Sequence, residues 1–169
     1  MNVVVLTGPV GSGKTTTADA LAELLHDRGE SVAMVDMDAL RRVWPANPED
    51  PFHERLGLAN LAASWPNFRA AGADWLVLAD VVERPDQRDA YRAAVPGAAV
   101  TIIRLNVALD RIRDRLHGRE QGDALAWHLH RSGELQTIMV ERGIGDRVID
   151  VDDHDPAAVA ALVADALVH

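Results

Sequence analysis

Apolar residues along this chain fall into short blocks separated by longer stretches of helical period. The blocks are Val3-Val4-Val5-Leu6, Ser31-Val32-Ala33-Met34-Val35-Asp36, Trp75-Leu76-Val77-Leu78-Ala79-Asp80, Val100-Thr101-Ile102-Ile103-Arg104-Leu105 and Arg147-Val148-Ile149-Asp150-Val151. Each is short, apolar and rich in β-branched residues, which predicts five buried strands. Between them, Ala18, Leu21, Ala22 and Leu25 predict a first helix that stops near Gly29. A short helix is expected over 39–44, followed by a loop that Pro45, Pro48 and Pro51 keep irregular. Leu56, Leu58, Leu61, Ala62, Trp65 and Phe68 predict a helix over about 52–71, which the Trp65-Pro66 pair would kink or break. Further helices are expected from Pro85 to near Pro96-Gly97, over 108–116, over 124–142 and over 156–168. Continuous apolar strands alternating with helices predict an α/β fold with a parallel sheet covered on both faces. Five strands and their helices use up the chain, so a single domain over 1–169 is expected.

Composition narrows this only a little. The 169 residues are 48% apolar and 25% charged, ordinary globular proportions for one domain. A net charge of -9 argues against a nucleic-acid partner, whose surface would call for a basic protein. With no cysteine, disulfides, thiolate metal sites and cysteine nucleophiles are excluded. Met1 leads directly into the first strand, leaving no room for a signal peptide, and no apolar run approaches the ~20 residues needed to span a bilayer. A cytoplasmic protein without a membrane partner is expected.

The chemistry begins where the first strand ends. Gly8-Pro9-Val10-Gly11-Ser12-Gly13-Lys14-Thr15 fits G-x-x-x-x-G-K-[ST], with a strand before it and a helix after it. Gly8, Gly11 and Gly13 let the backbone turn and bring its N–H groups, including those of Val10, Ser12 and Thr16, toward phosphate oxygens. The helix beginning near Lys14 points its positive end at the same anion. Lys14 would reach the β- and γ-phosphates of ATP, and the Thr15 hydroxyl would ligate Mg²⁺.

In an open α/β sheet, ligands sit beyond the carboxyl ends of the strands. Asp36 and Asp38 follow strand two and Asp80 follows strand three. Asp36 and Asp80 are candidates for touching Mg²⁺ through a water, with Asp80 equally suited to capping the turn before Val81. Asp38 could accept the proton of an attacking hydroxyl, or simply cap the helix beginning at Ala39. Arg111, Arg115 and Arg119 recur every four residues and share one face if their helix persists. That face is either solvated or part of a lid over about 117–123, in which Arg115 and Arg119 would clamp phosphoryl oxygens. The segment from Arg41 to His53 is where an acceptor would bind, with Arg41 and Trp44 as candidates; for Trp44 a pocket wall and ordinary packing are equal alternatives. His117, His128 and His130 lack metal-ligand spacing and are expected to be structural or exposed.

Through Gly8–Thr16, Asp36-Met37-Asp38 and the arginine-bearing lid, the chain resembles the small P-loop kinases of the nucleotide-kinase-like group. That group includes adenylylsulfate, gluconate and shikimate kinases and chloramphenicol phosphotransferase. Asp38-Ala39-Leu40-Arg41 is similar to the adenylylsulfate kinase segment that handles magnesium and substrate, and Asp38 matches the proposed general base of chloramphenicol phosphotransferase-like enzymes. The resemblance implies a three-layer P-loop NTPase fold, with a five-stranded parallel sheet in the order 2-3-1-4-5 and a short lid. It further implies adenine held between the lid side and the turn near Val151–His154. The function expected is ATP- and Mg²⁺-dependent phosphoryl transfer to a hydroxyl, or less readily a phosphate, of a small-molecule acceptor. The alternative is a nucleotide-dependent binding or switch module; against a guanine-reading one, Asn106-Val107-Ala108-Leu109-Asp110 lacks the Asn-Lys-x-Asp pattern.

Overall fold

Alternate residues of the first strand face two different cores, and the molecule is layered around that fact. In the computed structural model, which describes residues 1–151 and 154–168, β1 (Asn2–Thr7) occupies the middle of a five-stranded sheet. The other strands are β2 (Val32–Asp36), β3 (Trp75–Ala79), β4 (Ala99–Asn106) and β5 (Arg147–Asp150), and the order is β2-β3-β1-β4-β5. Every pairing is parallel, with Val3 opposite Leu76 on one side and Val100 on the other. This is the order that the resemblance implies.

Val3 and Val5 point to one face, with Leu76, Leu78 and Ile102. There they meet α3 (Glu54–Ala70) through Leu61 and Trp65, α4 (Gln87–Ala94) through Tyr91, and α6 (Gly122–Glu141) through Leu135 and Met139. Val4 and Leu6 point to the other face, with Val77, Ile103 and Leu105. This face is covered by α1 (Lys14–Asp27), α5 (Leu109–His117) and α7 (Pro156–Val168). Burial on both faces explains why the central strands read as unbroken apolar runs. Val3 to Leu6 are all at most 1% exposed.

Three local expectations change. The short helix after β2 begins and ends earlier, as α2 (Met37–Leu40). Its N-cap is Asp36, whose Oδ1 accepts the N–H of Asp38, so Asp38 lies inside the helix and does not cap it. The proline-rich run that follows prevents the helix from reaching residue 44, because a residue before proline is pushed out of the helical region. Secondly, α3 continues through Pro66 without a break. Pro66 and Ala62, whose carbonyl loses its donor, are both exposed, so water can serve that carbonyl while Leu61 and Trp65 anchor the buried side. Finally, α5 stops at His117, so Arg119 leaves the face shared by Arg111 and Arg115. The turn is closed by the N–H groups of Arg119 and Glu120, which both bond to the Leu116 carbonyl. Among the described residues, no helix is long and apolar enough to cross a membrane.

Candidate active site

The chain leaves β1 at the carboxyl edge of the sheet, turns through Gly8–Gly13 and re-enters as α1. Steric and backbone demands fix two of the glycines. A Cβ on Gly8 would stand 2.9 Å from the Leu105 carbonyl oxygen and 2.7 Å from the Ser12 hydroxyl. Gly13 caps α1 with φ of 92°, a left-handed conformation that strains residues with side chains. No side chain caps α1 and no acidic residue occupies its first turn, so its positive end is not neutralised. The buried Ser12 hydroxyl has no hydrogen-bond partner among the described residues. Lys14 donates to the carbonyls of Gly8 and Pro9, both at 3.0 Å. Burial holds its ammonium down at about 8, against the pull of Asp38, Asp80 and Asp36. A bare helix end, an orphaned hydroxyl and a desolvated ammonium converge on one spot, and together they fit a polyphosphate.

Next to this cradle the Thr15 hydroxyl donates to Oδ2 of Asp36 at 3.0 Å. An exposed hydroxyl and carboxylate suit Mg²⁺, which keeps waters and shares phosphate oxygens rather than needing a full protein cage. Among the described residues, no group of three or more His, Asp or Glu could hold a metal ion by itself. Asp80 is turned inward. Its Oδ1 accepts from the Arg41 guanidinium and from the Val81 N–H, the latter at 2.7 Å, and its Oδ2 accepts the Tyr91 hydroxyl at 2.7 Å. Burial pushes this carboxyl up, while Arg41 foremost, then Tyr91 and Val81, pull against it.

A cavity of about 420 Å³ opens beside the loop. Its lining includes Gly11, Gly13, Lys14, Thr15 and Thr16 of the loop together with Asp38 and Arg41. Asp38 is 70% exposed, with Nε of Arg41 3.8 Å from its carboxylate. Phe52, Glu54, Val81 and Glu83 also line the cavity, and α6 supplies Trp127, His128, Arg131 and Leu135. Arg131 pairs with Glu83 and lies over the Phe52 ring, 5.2 Å from its centroid. Glu120 receives the His128 ring and, at 2.9 Å, Nε of Arg119, which also lines the cavity. The Ser132 hydroxyl lies 3.0 Å from the Val10 carbonyl, tying α6 to the loop.

On the far side of the loop, a second cavity of about 400 Å³ is lined by Ser12, Thr17, Arg115, Arg119, Val151 and His154 among others. Arg115 donates to the carbonyls of Ser12 and Gly11, at 3.2 and 3.4 Å. Of the expected adenine-side turn, Val151 and His154 border this cavity, and Asp152 and Asp153 lie outside the described residues.

The structure therefore brings Lys14, Thr15, Thr16, Asp38, Arg41 and Arg119 to one cavity, with Asp36 bonded to Thr15. Trp44 stands apart, 80% exposed and outside the lining of either cavity. Nearby His53 is buried and fastens the loop: its ring reaches the Arg41 carbonyl, and its Nε2 accepts the Asn47 N–H at 3.1 Å. Sequence reasoning missed Phe52, Glu54, Glu83 and the cavity face of α6, and it set His128 aside. A signal existed in α6, since Trp127, Arg131 and Leu135 recur every four residues on one face. Glu83, just beyond β3, obeys the strand-end rule as well as Asp80 does.

Several solved structures share this fold. A tunicamycin resistance protein of Deinococcus radiodurans superposes with a TM-score of 0.67 at 20% identity, covering 98% of this chain and 95% of its own. A gluconokinase from Sinorhizobium meliloti 1021 gives 0.58 at 22% identity, with coverages of 99% and 95%. The APS kinase CysC of Mycobacterium tuberculosis, in complex with AMPPNP and APS, gives 0.61 at 20% identity, with coverages of 99% and 98%. No curated protein matches the chain in sequence. The AAA domain family AAA_18 matches residues 4–138, from β1 through the loop, the acidic strand ends and most of α6. With that match over most of its length and the P-loop kinase fold beneath it, the chain belongs to the AAA_18 family of AAA domains.

Proposed function

We propose that this protein is an ATP- and Mg²⁺-dependent phosphotransferase that moves the γ-phosphoryl group to a hydroxyl of a small molecule. One observation carries the reading: a single cavity is lined both by the phosphate loop and by Asp38 with Arg41. A nucleotide-binding switch needs the loop and has no use for the other pair. The fold neighbours named gluconokinase and APS kinase add support.

In this reading Lys14, Ser12 and the loop N–H groups bind and orient the β- and γ-phosphates. Thr15 and Asp36 hold Mg²⁺, which when bound offsets phosphate charge. Asp38 orients the acceptor hydroxyl and takes its proton. Arg119 reaches the cavity from the lid, and Arg115 braces the loop carbonyls while facing the nucleotide side. The turn over 117–123, with its flanking helix ends, closes over the site and excludes water.

Incubation with ATP, Mg²⁺ and a library of metabolites and antibiotics, followed by ADP release, identifies the acceptor. With that acceptor, Asp38→Asn keeps nucleotide binding but loses at least ~100-fold in transfer rate, the size of a lost general base. Undiminished turnover in the variant overturns the role of Asp38.

A further inference from the structure

We infer that the acceptor is a neutral or cationic hydroxyl compound with an apolar face, and that hydroxy acids, phosphate monoesters and sulfates are turned away. The inference rests on the phosphotransferase reading of the cavity. Each cation on the acceptor side is already matched by a carboxylate of the protein. Arg41 is held by Asp80, whose other oxygen is taken by Tyr91. Arg131 is held by Glu83 and stands 3.4 Å from Glu134. Arg84, next to this wall, reaches Glu54 at 3.1 Å and Asp86 at 3.5 Å. Lys14 and Arg119 belong to the loop end, where the donor's phosphates need them.

An anionic acceptor would thus meet guanidinium groups whose charge is already offset, and to hold either one fully it would have to draw Arg41 from Asp80 or Arg131 from Glu83. Asp80 is 6% exposed and Glu83 17%, so either exchange leaves a carboxylate in poorly solvated surroundings without its cation. That loss offsets the new ion pair. Asp38 adds repulsion, since its nearest cation is Arg41 at 3.8 Å and that guanidinium is committed elsewhere. A hydroxyl or an ammonium meets the opposite situation, with carboxylate oxygens of Asp38, Glu54 and Glu83 facing the cavity as acceptors. Much of the remaining lining is apolar. Phe52 and Trp127, 44% and 50% exposed, line the cavity together with Val81 and Leu135. Partly exposed aromatic rings lining a cavity suit an aromatic or aliphatic body that carries the hydroxyl. In the transfer itself, the acceptor oxygen forms its bond to the γ-phosphorus as the bond to the β–γ bridging oxygen breaks. ADP departs and the hydroxyl proton passes to Asp38.

Matched sets of hydroxyl compounds test this, each set offering one aryl-alkyl skeleton as its carboxylate, its carboxamide and its amine. Two readouts are taken: ADP release with ATP and Mg²⁺, and the melting shift of protein saturated with a non-hydrolysable ATP analogue. Amides and amines are expected to act and bind, with the matching carboxylates at least ~10-fold weaker, as like-charge juxtaposition requires. Glu83→Gln leaves Arg131 only its 3.4 Å contact with Glu134 and is expected to narrow that gap; an unchanged gap overturns the part assigned to the Arg131–Glu83 pair. A carboxylate that equals or exceeds its amide overturns the inference while the phosphotransferase reading stands. Nucleotide binding with no active or bound member in any class overturns both.

Discussion

Asp36, Asp38 and Asp80 carry the same side chain at comparable places at or just past the ends of β2 and β3, yet they meet three different environments. Asp36 caps α2 and accepts the Thr15 hydroxyl; Asp38 stands 70% exposed in the cavity; Asp80 is buried between Arg41 and Tyr91. Sequence position marks all three as candidates because strand ends are legible. It does not reveal their partners, since Arg41 is 39 residues from Asp80 and Tyr91 is 11 away. The geometry makes Asp80 a support for Arg41, with both oxygens already engaged. Accordingly Asp80→Asn is expected to lower stability by about 3 kcal/mol, the scale for breaking a buried ion pair. Urea unfolding measures that loss, and the Mg²⁺ concentration that supports half-maximal nucleotide binding should stay as in the parent protein. A shift in that concentration without a loss of stability would return Asp80 to the metal site.

At the scale of elements, the helices were legible in number and rough extent, and their errors have local causes. The end of α2 was misplaced because a carboxylate cap and a following proline run compete with weak helical periodicity. Whether α3 breaks at Pro66 could not be decided locally, because the cost of a proline depends on whether the freed carbonyl can find water, and exposure is a tertiary property. This gives a direct test. Pro66→Ala restores the N–H donor to the Ala62 carbonyl at an exposed position, removing a penalty of about 3 kcal/mol while giving back about 1 in unfolded-chain entropy. The variant should be more stable by roughly 1–2 kcal/mol in urea or thermal unfolding, on the same bookkeeping. A lower melting temperature would mean that Pro66 shapes α3 in some other way. In α6, one face packs Leu135 and Met139 into the core while its first half turns Trp127, His128 and Arg131 to the cavity. Periodicity alone identifies such a face, but which neighbour it meets depends on where the sheet order places the helix.

For the whole molecule, distant segments are joined by a few polar ties across the sheet edge. Asp146, at the entrance to β5, accepts the Arg88 guanidinium of α4 at 2.6 Å and the Ile102 N–H of β4 at 2.8 Å. Burial pushes its carboxyl up, but the Arg88 bond, the Ile102 N–H and the charges of Arg88 and Arg147 outweigh burial and hold it below the ordinary 3.8. A carboxyl with a lowered folded-state value stabilises above its unfolded value and loses that contribution as the pH falls through the folded one. Asp146→Asn should therefore cost about 1 kcal/mol at pH 7, the reduced worth of a partly exposed charged hydrogen bond. The difference from the parent protein should shrink as the pH drops below 3.8, as urea titrations across that range would show. A difference that is constant with pH would mean the tie acts by packing and not by charge.

The sequence by itself determined the five apolar strands, the phosphate loop between the first strand and first helix, and the acidic residues at the strand ends. These follow from interactions within a few residues: β-branched runs, glycines where the backbone must turn, and helix periodicity. Local pattern could not decide which strand lies beside which. The order 2-3-1-4-5 was expected from resemblance, and in the structure long-range packing fixes it, with two helix layers burying alternate residues of the central strands. Nor could local pattern reveal that Arg41 and Arg131 are already matched by Asp80 and Glu83, across separations of 39 and 48 residues. Those pairings arise only when the sheet brings β3 alongside β2 and sets α6 over the cavity. They also decide the charge that this part of the cavity offers, because a cation's availability depends on what the fold has placed beside it.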